Sequence, residues 1–417
     1  MRAAEQTPIA VADHAVARPW RVWLLVAVPL LLPFGRLGEL PLLIGAIVGT
    51  IDVARAPGLL RTPYARLALL LFGAYWLPEL VSAVDSVAPR KSWLEVASDL
   101  RYLPFLLFAA TACRAPRDAA RLVGGIAAVL ALWCADALVQ ALTGWSLGGA
   151  GTVDRLSGIF GDDNLKLGGA VAALATFGLW FAWTRGRARG LALALVPLLV
   201  VVLLAGARAA WLVLAIAFAL VCWRALGPRR GLLAAAAALL IAAAAGVASY
   251  AASPRFAARV DRTAAAFTGD SAAIDHALSG RVPIWHTALA MGAAHPINGV
   301  GVRAFRHAYP AHAADGDRWV RDGTGALHAH QLLLEVWSET GAFGLLAWLL
   351  GALAALRAWF TATAAARGRA APAAYALCAA LFPINTHYAM YSSVWGLLLM
   401  LLLAAWLALL AAPEGDG

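Results

Sequence analysis

The stretch HAHQLLLEVWSETGAFG, His328 to Gly344, places two histidines one residue apart at the mouth of a long apolar run. Imidazole exchanges a proton near neutral pH and is the usual general base. A histidine in a loop is more often merely solvated, so the pair needs a chemical context, and arginine supplies one. Arg208 stands in LLAGARAAWLVLA, between two apolar runs with almost no connection, and Arg281 stands in LSGRVPIWHTAL, just before Pro283. Arg303, Arg306, Arg318 and Arg321 follow in the same connection. Guanidinium forks match phosphate oxygens in shape and charge. A base beside several arginines reads as proton abstraction next to a phosphate-bearing substrate.

Other chemistries are less well supported. Asp315-Gly316-Asp317 is a DxD and Asp162-Asp163 is an acidic pair, either of which could serve a divalent metal. DxD is short and common by chance, and Asp317 is followed by its own counter-ion, Arg318, so no metal is expected. GVGVRAF lacks the third glycine and the strand–turn–helix setting of a dinucleotide fingerprint. The cysteines Cys113, Cys134, Cys222 and Cys378 show no paired spacing, so neither a disulfide nor a metal site is expected. No cofactor is implied.

The elements that must position these residues are membrane helices. Of 417 residues, 62% are hydrophobic and only 13% charged. Such long apolar runs mean transmembrane helices of roughly 20 residues each, and an all-α polytopic fold. Hydropathy marks about twelve spans, near 20–35, 39–53, 65–84, 99–113, 121–142, 165–184, 190–206, 208–223, 231–251, 334–357, 371–387 and 393–412. Several are short, which leaves room for a reentrant or broken segment among the first four. Glu79 and Asp136 fall inside spans, where a carboxylate either contacts substrate or bonds to a neighbouring helix.

Arginine placement orients the chain. The net charge is +10, and Lys91 and Lys166 are the only lysines. The arginines at 55, 61 and 66, at 114, 117 and 121, at 185, 187 and 189, at 224, 229 and 230, and at 357, 367 and 369 occupy every second connection. The N-terminal tail, with Arg2, Arg18 and Arg21, falls on the same side. The positive-inside rule makes that side cytoplasmic, with both termini. Most of the basic excess is thus a topology signal, and nucleic acid is not an expected partner. Arg208, Arg281 and His330 fall on the opposite face, where arginine is disfavoured and an anionic partner explains it.

Residues 1–252 read as nine spans, 253–330 as one long periplasmic loop and 331–417 as three further spans. Loops this long are usually functional. Within it, Pro283 opens a helix, Asn298-Gly299 marks a turn, and RAFRHAYPAHA forms a second short helix with aromatic anchors. Seven of the nine histidines lie in this loop or at its exit, which concentrates proton chemistry there.

Four stretches, RLSGIFGDDNLKLGG (Arg155–Gly169), AGARAAWL (Ala205–Leu212), SGRVPIWHTAL…HPINGVGVRAF (Ser279–Phe305) and HAHQLLLEVWSETGAFG, resemble the O-antigen ligase family. That family stands with the O-antigen polymerases among polytopic, GT-C-like membrane glycosyltransferases. The resemblance implies a catalytic His330 and lipid-diphosphate contacts at Arg208 and Arg281. His328, Arg303, Trp285 and Asp162 are candidate contacts to acceptor or donor. Gln331 stands where the family commonly has Asn or Ser, and Asp162-Asp163 where Asn-Pro is common, which weakens transfer of that second loop's role.

The expected reaction is inverting, metal-independent transfer of O-antigen polysaccharide from undecaprenyl diphosphate to lipid A–core oligosaccharide at the periplasmic face of a bacterial inner membrane. Membrane lipids are the remaining partners. An O-antigen polymerase or a protein O-oligosaccharyltransferase would share the donor and the site. A lipid-linked oligosaccharide transporter would instead bury its charges near the midplane, between broken helices.

Overall fold

The computed structural model describes residues 19–150, 155–161, 164–252, 257–258, 260–261, 264, 271–323, 325–386 and 388–414. The chain is a helical membrane protein. Among the described residues, seven stretches are long and apolar enough to cross a bilayer: Trp20–Arg55, Pro63–Ala83, Pro116–Thr143, Lys166–Leu204, Arg208–Leu226, Leu332–Thr361 and Ser393–Ala411. Two of them hold two of the expected spans each. Trp20–Arg55 contains α1 (Trp20–Leu31) and α2 (Glu39–Arg55), joined by a turn in which Gly35 takes φ 66°. α7 (Lys166–Leu204) breaks at Arg187, and beyond the break Gly190 lies against the carbonyl of Ala182, so the chain doubles back there.

Where the fourth span was expected (99–113), the structure holds parts of two helices. The polar helix α4 (Pro89–Asp99) is followed by α5 (Tyr102–Ala109), eight residues long, with Leu100 and Arg101 between them in helical backbone, so this run is a broken segment of the kind expected among the first four. Arg101 interrupts the run and donates to Asp99 Oδ1 at 3.0 Å. α5 packs on α2, where Gly49 lets the Pro104 carbonyl approach to a distance that a Cβ would block.

α3 (Pro63–Ala83) lies along α14 (Leu332–Thr361), and α6 (Pro116–Thr143) lies along α7. α8 (Arg208–Leu226) packs on α7 and on α9 (Pro228–Ala252). α15 (Ala364–Ala380) and α16 (Ser393–Ala411) pair with each other. The Asp136 carboxylate on α6 accepts from Leu147 N at 2.8 Å, and Gln140 Oε1 accepts from Gly158 N at 2.8 Å. Both side chains tie down the connection between α6 and α7, so Asp136 is a bonded partner of neighbouring backbone.

Between α9 and α14, the described residues include four short helices: α10 (Ser271–Ala277), α11 (Val282–Ala294), α12 (Phe305–His312) and α13 (Arg318–Arg321). α11 begins at Pro283's predecessor, Gly299 turns at φ 70°, and α12 forms as its sequence predicts. Ile284, Met291, Val300, Phe305 and Tyr309 close a small apolar core of their own.

α14 is not the continuous span its hydropathy predicts. It breaks at Gly341, with φ 63° and ψ −161°. The freed N–H groups of Ala342 and Phe343 donate to the carbonyls of Pro296 and Ile297, at 2.9 and 3.0 Å. In return Val300 N and Gly301 N donate to the carbonyls of Ser338 and Glu339. The HPINGVG turn is thereby stitched into the break, which satisfies main-chain groups that a bilayer could not. The same turn is tied to α3 and α4: Val302 N donates to Ser82 Oγ at 3.0 Å, and Ser92 Oγ donates to the Val302 carbonyl at 2.6 Å.

Candidate active site

Arg208 is the first residue of α8, directed there by a turn at Gly206, φ 72°. Its Nη2 donates to Ser279 Oγ at 3.0 Å, across 71 residues of chain. Ser279 and Gly280 both adopt left-handed backbone, φ 60° and 73°. This turn is held from several sides. Gly280 N donates to the Asp275 carbonyl at 2.7 Å, Val282 N donates to Asp275 Oδ1 at 3.1 Å, and Trp319 Nε1 donates to the Gly280 carbonyl at 2.9 Å. A Cβ at position 280 would fall on the Arg318 guanidinium. The residue the turn presents is Arg281, at the N-terminus of α11. Its charge is partly buried and close to that of Arg208, and both effects pull its pKa down. Two cations so placed favour an anion between them.

Arg281 also acts on His328. Burial first, then the charges of Arg303, Arg281 and Arg306, push the His328 imidazole from 6.5 down to about 4. It is neutral at physiological pH, and its Nδ1 is buried without a hydrogen-bond partner. The ring of His330 meets it edge to face, with centroids 3.8 Å apart. His330 takes φ 51°, a left-handed conformation that a non-glycine residue adopts at a cost. The next two residues hold it in place. Gln331 caps α14 by accepting from Leu334 N at 2.5 Å and donates through Nε2 to the Pro383 carbonyl at 3.1 Å. Leu332 N donates to the Asn385 carbonyl at 3.0 Å. Gln331 thus performs a capping and tethering task that an Asn or Ser could perform in part.

Arg303 is a third left-handed non-glycine residue, φ 60°. Its Nε lies 3.7 Å from Glu95 Oε2. Trp285, one turn into α11 beyond Arg281, is half-buried, with its indole N–H buried and unpartnered. Asp162 lies outside the described residues. Asp317 is engaged as a cap: Oδ1 accepts from Trp319 N at 2.8 Å and Oδ2 from Tyr309 Oη at 3.0 Å. Among the described residues, no three His, Cys, Asp or Glu side chains are grouped to hold a metal ion.

Sequence reasoning passed over two carboxylates, Glu335 and Glu339, both buried in the first turns of α14, which follow the histidines in the chain. Glu335 Oε1 lies 3.5 Å from Tyr391 N, and Glu339 Oε2 accepts from Arg303 N at 2.7 Å. The signal was available: carboxylates four residues apart inside an apolar helix are costly unless used.

The arrangement offers two facing imidazoles beside a cluster of arginines at the junction of α8, α11 and α14. It can accept a proton from one group while stabilising negative charge on another. No curated protein matches the chain. Residues 193–349, which hold Arg208, Arg281, both histidines and Glu339, match the family model described as O-Antigen ligase, and on that stretch the chain shows the family's likeness.

Proposed function

We propose that the protein is an O-antigen ligase of the bacterial inner membrane, with its active site facing the periplasm and both termini in the cytoplasm. The donor is glycan on undecaprenyl diphosphate, and the acceptor is a hydroxyl of lipid A–core oligosaccharide. One observation carries the reading. Arg208 and Arg281 come from distant parts of the chain to adjacent positions, and Arg281 lies within electrostatic reach of His328.

The donor keeps its polyprenyl tail in the bilayer and its diphosphate at the interface, between Arg208 and Arg281. The acceptor oxygen attacks the anomeric carbon, and His330 takes the hydroxyl proton. The bond from that carbon to the diphosphate oxygen breaks, and the electron pair leaves on the diphosphate. The two arginines stabilise the charge that grows there. A single displacement inverts the anomeric centre. Arginine neutralises the leaving group, so the step proceeds without a metal.

Reconstitution with lipid-linked glycan and purified core lipid tests this directly. Glycan should appear on the core lipid. Chain extension on lipid-linked acceptor, with no transfer to core, would make the protein a polymerase instead.

A further inference from the structure

We infer that Glu339 is a positioning residue: its buried carboxylate holds the left-handed turn at Arg303 and so fixes where the Arg303 guanidinium points. The observations are independent of one another. Glu339 is 3% exposed on the membrane helix α14, where a carboxylate is expensive to keep. Its two oxygens face main-chain donors, Arg303 N at 2.7 Å and Phe305 N at 3.4 Å. Its own carbonyl accepts from Gly301 N at 3.1 Å, so residue 339 grips the turn by side chain and main chain together.

The gripped turn is strained. Arg303 takes φ 60°, where glycine would sit at far lower cost. An arginine kept in such a conformation is kept for its side chain. That side chain is guided toward Glu95 of α4, with Nε 3.7 Å from Oε2. Glu339 therefore fixes the backbone of Arg303 and Glu95 fixes the guanidinium. Both carboxylates act through Arg303, whose charge reaches His328. Neither needs to touch substrate.

The test uses the full-length protein in lipid nanodiscs, with Glu339→Ala, Glu339→Gln, Arg303→Ala and the double variant Glu339→Ala/Arg303→Ala. The first measurement is diethyl pyrocarbonate modification of His328, located by peptide mass spectrometry, which requires no substrate. Glu339→Ala and Arg303→Ala should each raise the modification rate severalfold, and the double variant should go no further than the larger single effect. The second is glycan transfer, and this arm rests on the function proposed above. Loosening the turn should lower kcat by about 10–100-fold, as small misplacements near a reacting centre do. Glu339→Gln, whose amide oxygen can still accept from Arg303 N, should recover most of the loss and keep His328 protected. If Glu339→Gln is folded yet as impaired as Glu339→Ala, or if the two single effects on labelling multiply, the positioning role is wrong. If wild type transfers no glycan to core lipid, the function proposed above fails while the labelling still decides the role of Glu339.

Discussion

His328 and His330 meet ring to ring at 3.8 Å across the buried Ala329, and only one of them has a strained backbone, His330 at φ 51°. The strained backbone and the family resemblance both support the proposal that His330 takes the proton. Removing a general base costs about 10²–10⁴-fold in rate. His330→Ala should fall in that range in reconstituted transfer while inserting and purifying normally. His328→Ala should lose much less. A dead His328→Ala with a near-normal His330→Ala would exchange the two roles.

His328 should leave a mark on stability. Its imidazole is pushed from 6.5 to about 4, chiefly by burial and then by Arg303. Between those values the unfolded chain binds the proton and the folded chain does not. Stability therefore falls as pH drops from 6.5 toward 4 and is restored as pH rises. Thermal melts across that window should show a shallower slope for His328→Gln than for wild type.

Arg208 and Arg281 should not tolerate lysine. The Arg208 fork is oriented by its donor bond to Ser279 Oγ, and a planar fork so oriented can meet two phosphate oxygens at once. Lysine keeps the charge and loses that geometry. Arg208→Lys and Arg281→Lys should each cut transfer severalfold or more, with the donor KM raised. A wild-type KM in both would remove the diphosphate from this pair.

Asp315 and Asp317 should separate. Asp317 caps α13 and accepts from Tyr309, so Asp317→Ala should cost about 1 kcal/mol of stability, as lost caps do. Asp315→Ala should be close to wild type, and transfer should survive EDTA in both. Activity lost to EDTA and restored by Mg²⁺ or Mn²⁺ would overturn the arginine-clamp mechanism.

Much of the site was legible because it rests on residue types that composition makes conspicuous. Arginines in connections where charge placement leads one to expect few, Pro283 before a helical run and Asn298-Gly299 at a turn each announce themselves locally. The breaks were not legible. The run 334–357 has the same hydropathy whether α14 is straight or interrupted, because the interruption depends on the carbonyls of Pro296 and Ile297, in a different part of the chain. The run at 99–113 is divided for a related reason: Arg101 and Asp99 pair with each other where one helix ends and the next begins, a break that hydropathy could place among the first four spans but not at a residue. Glu339 escaped notice because its partners are main-chain N–H groups, which no side-chain pattern reveals.

The sidedness of the site can be read with single cysteines in a background lacking Cys113, Cys134, Cys222 and Cys378. Ile297 is 71% exposed beside the histidine-rich segment, and Arg229 is exposed at the start of α9. An impermeant maleimide should label Ile297→Cys from the periplasmic side and Arg229→Cys only after permeabilisation. Labelling of both from outside would contradict the positive-inside assignment.

The seam between the HPINGVG turn and the α14 break makes the sharpest prediction. Gly299 has φ 70°, and a Cβ there would overlap the Glu339 carbonyl carbon and Thr340 N. Gly341 has φ 63°, and a Cβ there would lie 2.5 Å from the Ile297 carbonyl. These contacts are with backbone on both sides, so no side chain can rotate away. Left-handed strain adds about 1–2 kcal/mol for any residue with a Cβ. Gly299→Ala and Gly341→Ala should therefore prise the turn from the helix, lower the melting temperature and cost activity together. Gly316→Ala is the control. Gly316 also has positive φ, 76°, but nothing lies within 4 Å of its would-be Cβ. It should show the strain alone, with a small stability loss and nearly full transfer. Equal effects at all three positions would mean that the close approach of the two backbones contributes nothing beyond glycine's conformational freedom.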